Sequence, residues 1–223
     1  MKYLIILFLL IMTIEEDIFA QDWANLNKYK AANDTLVHQK KNIKRIVFMG
    51  DSITEFWTPD FFTKTNYINR GISGQTTPQM LVRFRPDVVN LKPDVVVILA
   101  GTNDIAGNTG SMTLEMIEDN LKSMCEIAKA NKIKVVLCSV LPVYDYTWKK
   151  GMEPAEKIYT LNKWIKNYAD KNNYAYVDYY SPTVDDNKGI KKEYSEDGVH
   201  PNKKGYDVME PIVKEAITKI LSK

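Results

Sequence analysis

Residues 43–57 read IKRIVFMGDSITEFW, and the fold follows from how that stretch changes character. Lys44 and Arg45 lead into Ile46-Val47-Phe48-Met49, a β-branched and aromatic run of the kind that forms a buried parallel strand. The run stops at Gly50 and presents Asp51 and Ser52 before Ile53-Thr54-Glu55. A serine directly behind a buried strand stands at the carboxyl edge of an α/β sheet, where such folds place ligands. Gly50 is expected to permit the sharp turn that lifts the Ser52 hydroxyl clear of the sheet. Taken alone, the tripeptide favours a plain strand-to-helix turn whose serine caps the helix. The rest of the chain decides.

Outward from this stretch, strands and helices alternate. Residues 22–40, with Trp23, Leu26, Tyr29 and Leu36 among lysines and asparagines, predict an amphipathic helix ahead of the first strand. Pro59 to Phe62 predicts a short helix, and Tyr67 to Ile72 a second strand. Thr76 or Thr77 followed by Pro78 reads as a helix start that carries Met80, Leu81 and Phe84 inward. Val95 to Ala100 is the clearest central strand, and it ends in Gly101-Thr102-Asn103-Asp104. Residues 113–131 form an amphipathic helix, Lys134 to Val140 a fourth strand, and Leu141 to Met152 a loop. Glu153 to Lys171 is a second long helix and Tyr174 to Tyr179 a fifth strand. The last helix, through Leu221, should be kinked or broken at Pro211. Five strands alternating with helices require a parallel sheet covered on both faces, a three-layer α/β/α sandwich in a single domain over residues 21–223.

Composition narrows the function classes. At 223 residues and 45% hydrophobic content the chain can bury a sizeable core, and a formal net charge of +2 gives no reason to expect a nucleic-acid partner. Lys2, the apolar run from Tyr3 to Ile14 and Ala20 describe a secretory signal over residues 1–20, too short for a spanning helix. Cleavage after Ala20 would raise the net charge to +4 and leave a secreted or periplasmic protein with no stable membrane anchor. Cys125 falls in a helical pattern and Cys138 in a buried strand, so both are expected as reduced core thiols.

Four polar motifs follow strands or precede the last helix, and therefore share one rim of the sheet: Gly50-Asp51-Ser52, Asn69 to Gly74, Gly101 to Asp104, and Asp197 to His200. Acyl transfer needs such a set. A hydroxyl is a weak nucleophile until a base takes its proton. The chain has two histidines; His38 lies before the first strand and should face solvent, whereas His200 has Asp197 three residues upstream to orient it. The oxyanion of a tetrahedral intermediate needs donors, which the Ser52 and Gly74 backbone N–H groups and the Asn103 amide could supply.

These four motifs resemble the blocks of the SGNH (GDSL-type) hydrolase and esterase superfamily, and the likeness runs from about Ile43 to the end of the chain. The resemblance implies Ser52 as nucleophile, His200 as base and Asp197 as its partner, with Ser52, Gly74 and Asn103 forming the oxyanion hole. It also implies a flavodoxin-like five-stranded sheet with no metal and no cofactor. Arg70, Thr102 and Asp104 are expected to be structural supports. The sequence thus describes a secreted serine esterase for short acyl groups, acetyl above all, carried on a small-molecule or glycan ester. Trp57, Tyr144, Tyr146 and Trp148 are candidate sugar-stacking residues. A periplasmic thioesterase or lysophospholipase is the alternative within enzymes, and a carbohydrate-binding domain on an inert hydrolase fold the alternative outside them.

Overall fold

The computed structural model describes residues 22–39 and 43–222, so the signal segment expected over residues 1–20 lies outside the described residues. Five parallel strands form one sheet in the order β2-β1-β3-β4-β5: β1 (Ile46–Gly50), β2 (Ile68–Gly71), β3 (Val95–Leu99), β4 (Lys134–Cys138) and β5 (Ala175–Val177). This is the flavodoxin-like order, in which the chain leaves β1 in one direction for β2 and later returns to pair β3 on its other side. The crevice at that switch point, beyond the carboxyl ends of β1 and β3, is where such sheets hold ligands.

The central strands are buried along their whole length, as their unbroken apolar runs require. Alternate residues serve opposite faces. Val47, Met49, Val96, Ile98, Val135 and Leu137 face α4 (Thr77–Asp87), α6 (Leu114–Ala130) and α7 (Pro154–Asn172), which contribute Met80, Phe84, Ile117, Leu121, Ile158 and Leu161. Phe48, Val97, Leu99 and Val136 face α9 (Lys203–Leu221) through Tyr206, Met209 and Val213. Among the described residues there are also five shorter α-helices, α1 (Lys30–His38), α2 (Ser52–Glu55), α3 (Pro59–Thr65), α5 (Thr102–Ile105) and α8 (Tyr180–Thr183), and a 3₁₀ turn at Val89–Leu91. Cys125 and Cys138 are both free and buried, one on each face of the sheet, which keeps the two thiols apart.

Three local expectations change. The helix expected over residues 22–40 is confined to α1, because residues 22–29 form turns tied by the Asp22 carboxylate, which accepts from the Leu26 and Asn27 N–H groups. The last helix runs unbroken through Pro211, which lies on its exposed side. Gly50 is needed for space: a Cβ there would stand 2.1 Å from Thr54 Oγ1 and 2.9 Å from the Leu99 carbonyl. Its φ is not in the left-handed region, so the freedom expected of it is unused.

Candidate active site

Ser52 opens α2 immediately beyond β1, with Asp51 as the N-cap, its carboxylate accepting from the Ile53 N–H at 2.9 Å. The tripeptide therefore does cap a helix, but the capping side chain is Asp51, which frees the serine. Ser52 Oγ lies 2.9 Å from His200 Nε2, and His200 Nδ1 lies 2.6 Å from Asp197 Oδ2. A carboxylate only accepts, so Nδ1 carries the ring proton and a neutral imidazole presents Nε2 as the acceptor toward Ser52. Serine and histidine are 148 positions apart in the chain, and the sheet closes that distance by sending β1 and the loop before α9 to the same rim.

The loop around Asp197 is held by its own polar groups. Asp197 Oδ1 accepts from the backbone N–H groups of Val199 (2.9 Å) and His200 (2.8 Å) and from Ser195 Oγ (3.1 Å). Partial burial raises the Asp197 pKa, but the His200 ring and these N–H donors outweigh it and bring the group down to about 2. Asp51 goes the other way. It is fully buried, and desolvation pushes it up to about 7 against the Ile53 N–H and the nearby His200.

The second and third polar motifs are braced from below. Asn103 Nδ2 donates to the Gln75 carbonyl at 3.1 Å, joining the end of β3 to the turn that contains Gly74. Gly74 has φ +77° and a Cβ there would meet nothing within 4 Å, so conformation rather than crowding calls for glycine. Arg83, fully buried in α4, donates to the carbonyls of Gly50 and Arg70 (both 2.9 Å), to Asp87 (2.9 Å) and to the Gln75 side chain. Arg70 in turn donates to Asn33 of α1 at 2.7 and 2.9 Å, and Asp104 accepts from the Thr77 N–H at 2.9 Å. One guanidinium thus ties the Ser52 strand to the Gly74 turn. Arg70 and Asp104 both spend their polar atoms on neighbouring segments of the chain.

The aromatic residues divide. Trp57 is 2% exposed and packs against Phe61 at 4.9 Å and Tyr206 at 5.1 Å between ring centroids, so the expectation that it contacts substrate is corrected. Tyr146 is likewise corrected: it is fully buried and its hydroxyl donates to the Thr102 carbonyl at 2.7 Å. Tyr144 and Trp148 are 68% and 46% exposed, and Trp148 stacks on His200 at 6.3 Å between centroids. Phe56, which the sequence reading passed over, is 55% exposed and stands 5.6 Å from the imidazole. Its signal was spacing. Four residues past Ser52, it returns to the same side of the helical turn.

A cleft of about 480 Å³ lined by Tyr144, Asp145, Asp185, Asn187 and Gly198 adjoins the histidine loop. A larger one, about 920 Å³, opens at the far end of the strands among Lys44, Asp94 and Lys134, away from this chemistry. Among the described residues no cluster of three His, Cys, Asp or Glu could hold a metal ion, and no helix is long and apolar enough to cross a membrane.

Comparison with known proteins identifies relatives of this chain. A Bacteroides fragilis chain of known structure is 50% identical and covers 90% of this chain and 99% of its own, with a TM-score of 0.88. A GDSL-like lipase from Bacteroides thetaiotaomicron is also 50% identical, covering 88% of this chain and 98% of its own at a TM-score of 0.86. An acetylxylan esterase of Xylanibacter ruminicola is 25% identical across 80% of this chain and 44% of its own length. The chain spans between a third and just under half the length of the curated relatives it matches. Residues 48–208 match the model of the GDSL-like lipase/acylhydrolase family, which takes in Ser52, Gly74, Asn103, Asp197 and His200. The chain belongs to the GDSL-like lipase/acylhydrolase family, within the SGNH hydrolase superfamily.

Proposed function

We propose that this protein is an exported serine esterase that removes acetyl and other short acyl groups from carbohydrate. The observation that carries the reading is the hydrogen-bonded relay from Ser52 Oγ through His200 to Asp197. In the first half-reaction Ser52 Oγ attacks the ester carbonyl carbon while its proton passes to His200 Nε2. The carbonyl oxygen becomes an oxyanion, met by the Ser52 and Gly74 N–H groups and the Asn103 amide. Collapse expels the sugar alkoxide, which takes the proton from His200 and leaves an acyl-serine. Water then repeats the sequence, releasing the carboxylic acid and restoring Ser52. Asp197, held ionised by its donors, keeps the imidazole in the productive tautomer throughout.

The substrate class rests on Phe56 and Trp148, exposed rings beside the imidazole suited to packing on sugar faces, and on the acetylxylan esterase relative. Export rests on Lys2 and the apolar run to Ile14; no nucleic-acid partner and no lasting membrane anchor are expected. The test is acetate release from acetylated oligosaccharides, with p-nitrophenyl acetate and octanoate compared. Preference for octanoate would overturn the acetyl assignment, and turnover surviving Ser52→Ala would overturn the mechanism. Mass spectrometry of the exported chain should find Gln21 at its N-terminus.

A further inference from the structure

The oxyanion hole just proposed needs the Asn103 amide to present its NH₂ rather than its oxygen, and two neighbours fix that: the Gln75 carbonyl on the nitrogen and the Asn108 side chain on the oxygen. Asn108 lies in the turn after α5, where its backbone N–H donates to the Asn103 carbonyl at 3.0 Å. Its side chain spans three partners. Asn108 Nδ2 donates to Asn103 Oδ1 at 2.9 Å and to the Gly74 carbonyl at 3.3 Å, and Asn108 Oδ1 accepts from Trp148 Nε1 at 3.3 Å.

The polarity of this chain is determined at both ends. The Gln75 carbonyl can only accept, so Asn103 must turn Nδ2 toward it and Oδ1 away. An indole N–H can only donate, so Asn108 must turn Oδ1 toward Trp148 and Nδ2 toward Asn103 and Gly74. Both amides then have one orientation in which every bond pairs a donor with an acceptor. In the reverse orientation of Asn103, its oxygen would face the developing negative charge.

We propose that Asn108 is a positioning residue that aims the Asn103 amide and steadies the Gly74 turn for oxyanion binding, taking its own orientation from Trp148. The proposal rests on the oxyanion-hole reading above. It also makes Trp148 more than a wall for the sugar, since its indole N–H ends the chain that sets the hole. The motif Gly101 to Asp104 pointed to Asn103, but nothing in its spacing pointed to the asparagine five residues later.

The experiment compares Asn108→Asp and Asn108→Ala with the parent on p-nitrophenyl acetate, with thermal melts to establish folding. Asp keeps the shape and turn preference of Asn but loses both Nδ2 hydrogens. Removing an oxyanion donor outright costs roughly 10²–10³ in kcat, so loosening one should cost roughly tenfold to a hundredfold, with KM within about twofold. The Asp variant should also recover relative to the parent as pH is lowered, because a protonated carboxyl regains an O–H donor for Asn103 Oδ1. Parent-like kcat in both folded variants, or a change confined to KM, would overturn the proposal. Should either variant fail to fold, Trp148→Phe keeps a ring and removes the indole donor; kcat should fall by roughly two- to fivefold, and an unchanged kcat would overturn the inference. Ser52→Ala runs alongside. Loss of activity there with parent-like Asn108 variants would leave the esterase reading standing and remove this proposal alone.

Discussion

Two carboxylates close to His200 meet opposite fates. Asp51 adjoins the nucleophile, is fully buried, accepts one backbone N–H, and is pushed up to about 7. Asp197 sits in a half-open loop, accepts from two backbone N–H groups, a hydroxyl and the imidazole, and is brought down to about 2. Desolvation dominates where donors are few, and hydrogen bonding dominates where they converge. A group that must stay charged to hold an imidazole is therefore better placed in the looser, donor-rich loop than in the tight core beneath the serine. Similar divisions of labour between neighbouring acids recur in enzymes.

The largest expected effect separates the two acids. Asp197→Asn should lower kcat by roughly 10⁴, because the amide can hold the wrong imidazole tautomer, whereas Asp51→Asn should cost less than about tenfold. Equal losses in steady-state assays would erase the distinction. Next comes the contrast between the buried and exposed aromatics: Trp57→Ala should destabilise by roughly 3–5 kcal/mol in urea titration, and Tyr144→Ala by less than about 0.5 kcal/mol. A small loss at Trp57 would contradict its place in the core.

Proton linkage gives the third, with opposite signs for the two acids. The raised Asp51 value means the folded protein holds a proton the unfolded chain has already lost. Its contribution is full below the unfolded value near 3.8 and is lost as pH rises toward about 7, a decline of up to a few kcal/mol. Asp197 contributes stability above about 4 and loses it as pH falls through about 2, in a smaller amount because solvent reaches the pair. Melts across pH 4–8 should therefore flatten in Asp51→Asn; an unaltered slope would mean another group carries it. The smallest effect is expected at the site's edge, where Phe56→Ala should raise KM for acetylated oligosaccharides by roughly threefold to tenfold, about 1 kcal/mol, with little change on p-nitrophenyl acetate.

Much of this was readable before any coordinates. The strands at Ile46, Val95 and Lys134 announced themselves as apolar runs, and Ser52, Asn103 and His200 as polar breaks behind strands or before a helix. The order of the sheet then followed from the likeness the blocks carried. The aromatics were misjudged because residue type was weighed above spacing. Trp57 looked like a sugar platform, yet its neighbour Phe56 faces the imidazole. Arg83 stands between Met80 and Asp87 on its helix, where an i,i+4 Arg-Asp pair reads as a solvated surface pair until four acceptors are found around the guanidinium. Asn33 and Asn108 carried no signal at all.

The sequence by itself determined the elements and the inventory of chemistry, because strand burial and catalytic side-chain type are local properties of a few consecutive residues. Only the tertiary structure decided which acid is pushed up and which is brought down, which ring faces the site and which amide sits against Asn103. Those outcomes depend on how many donors, how much solvent and which distant segment surround a group, and such neighbours come from parts of the chain as far as 153 residues apart.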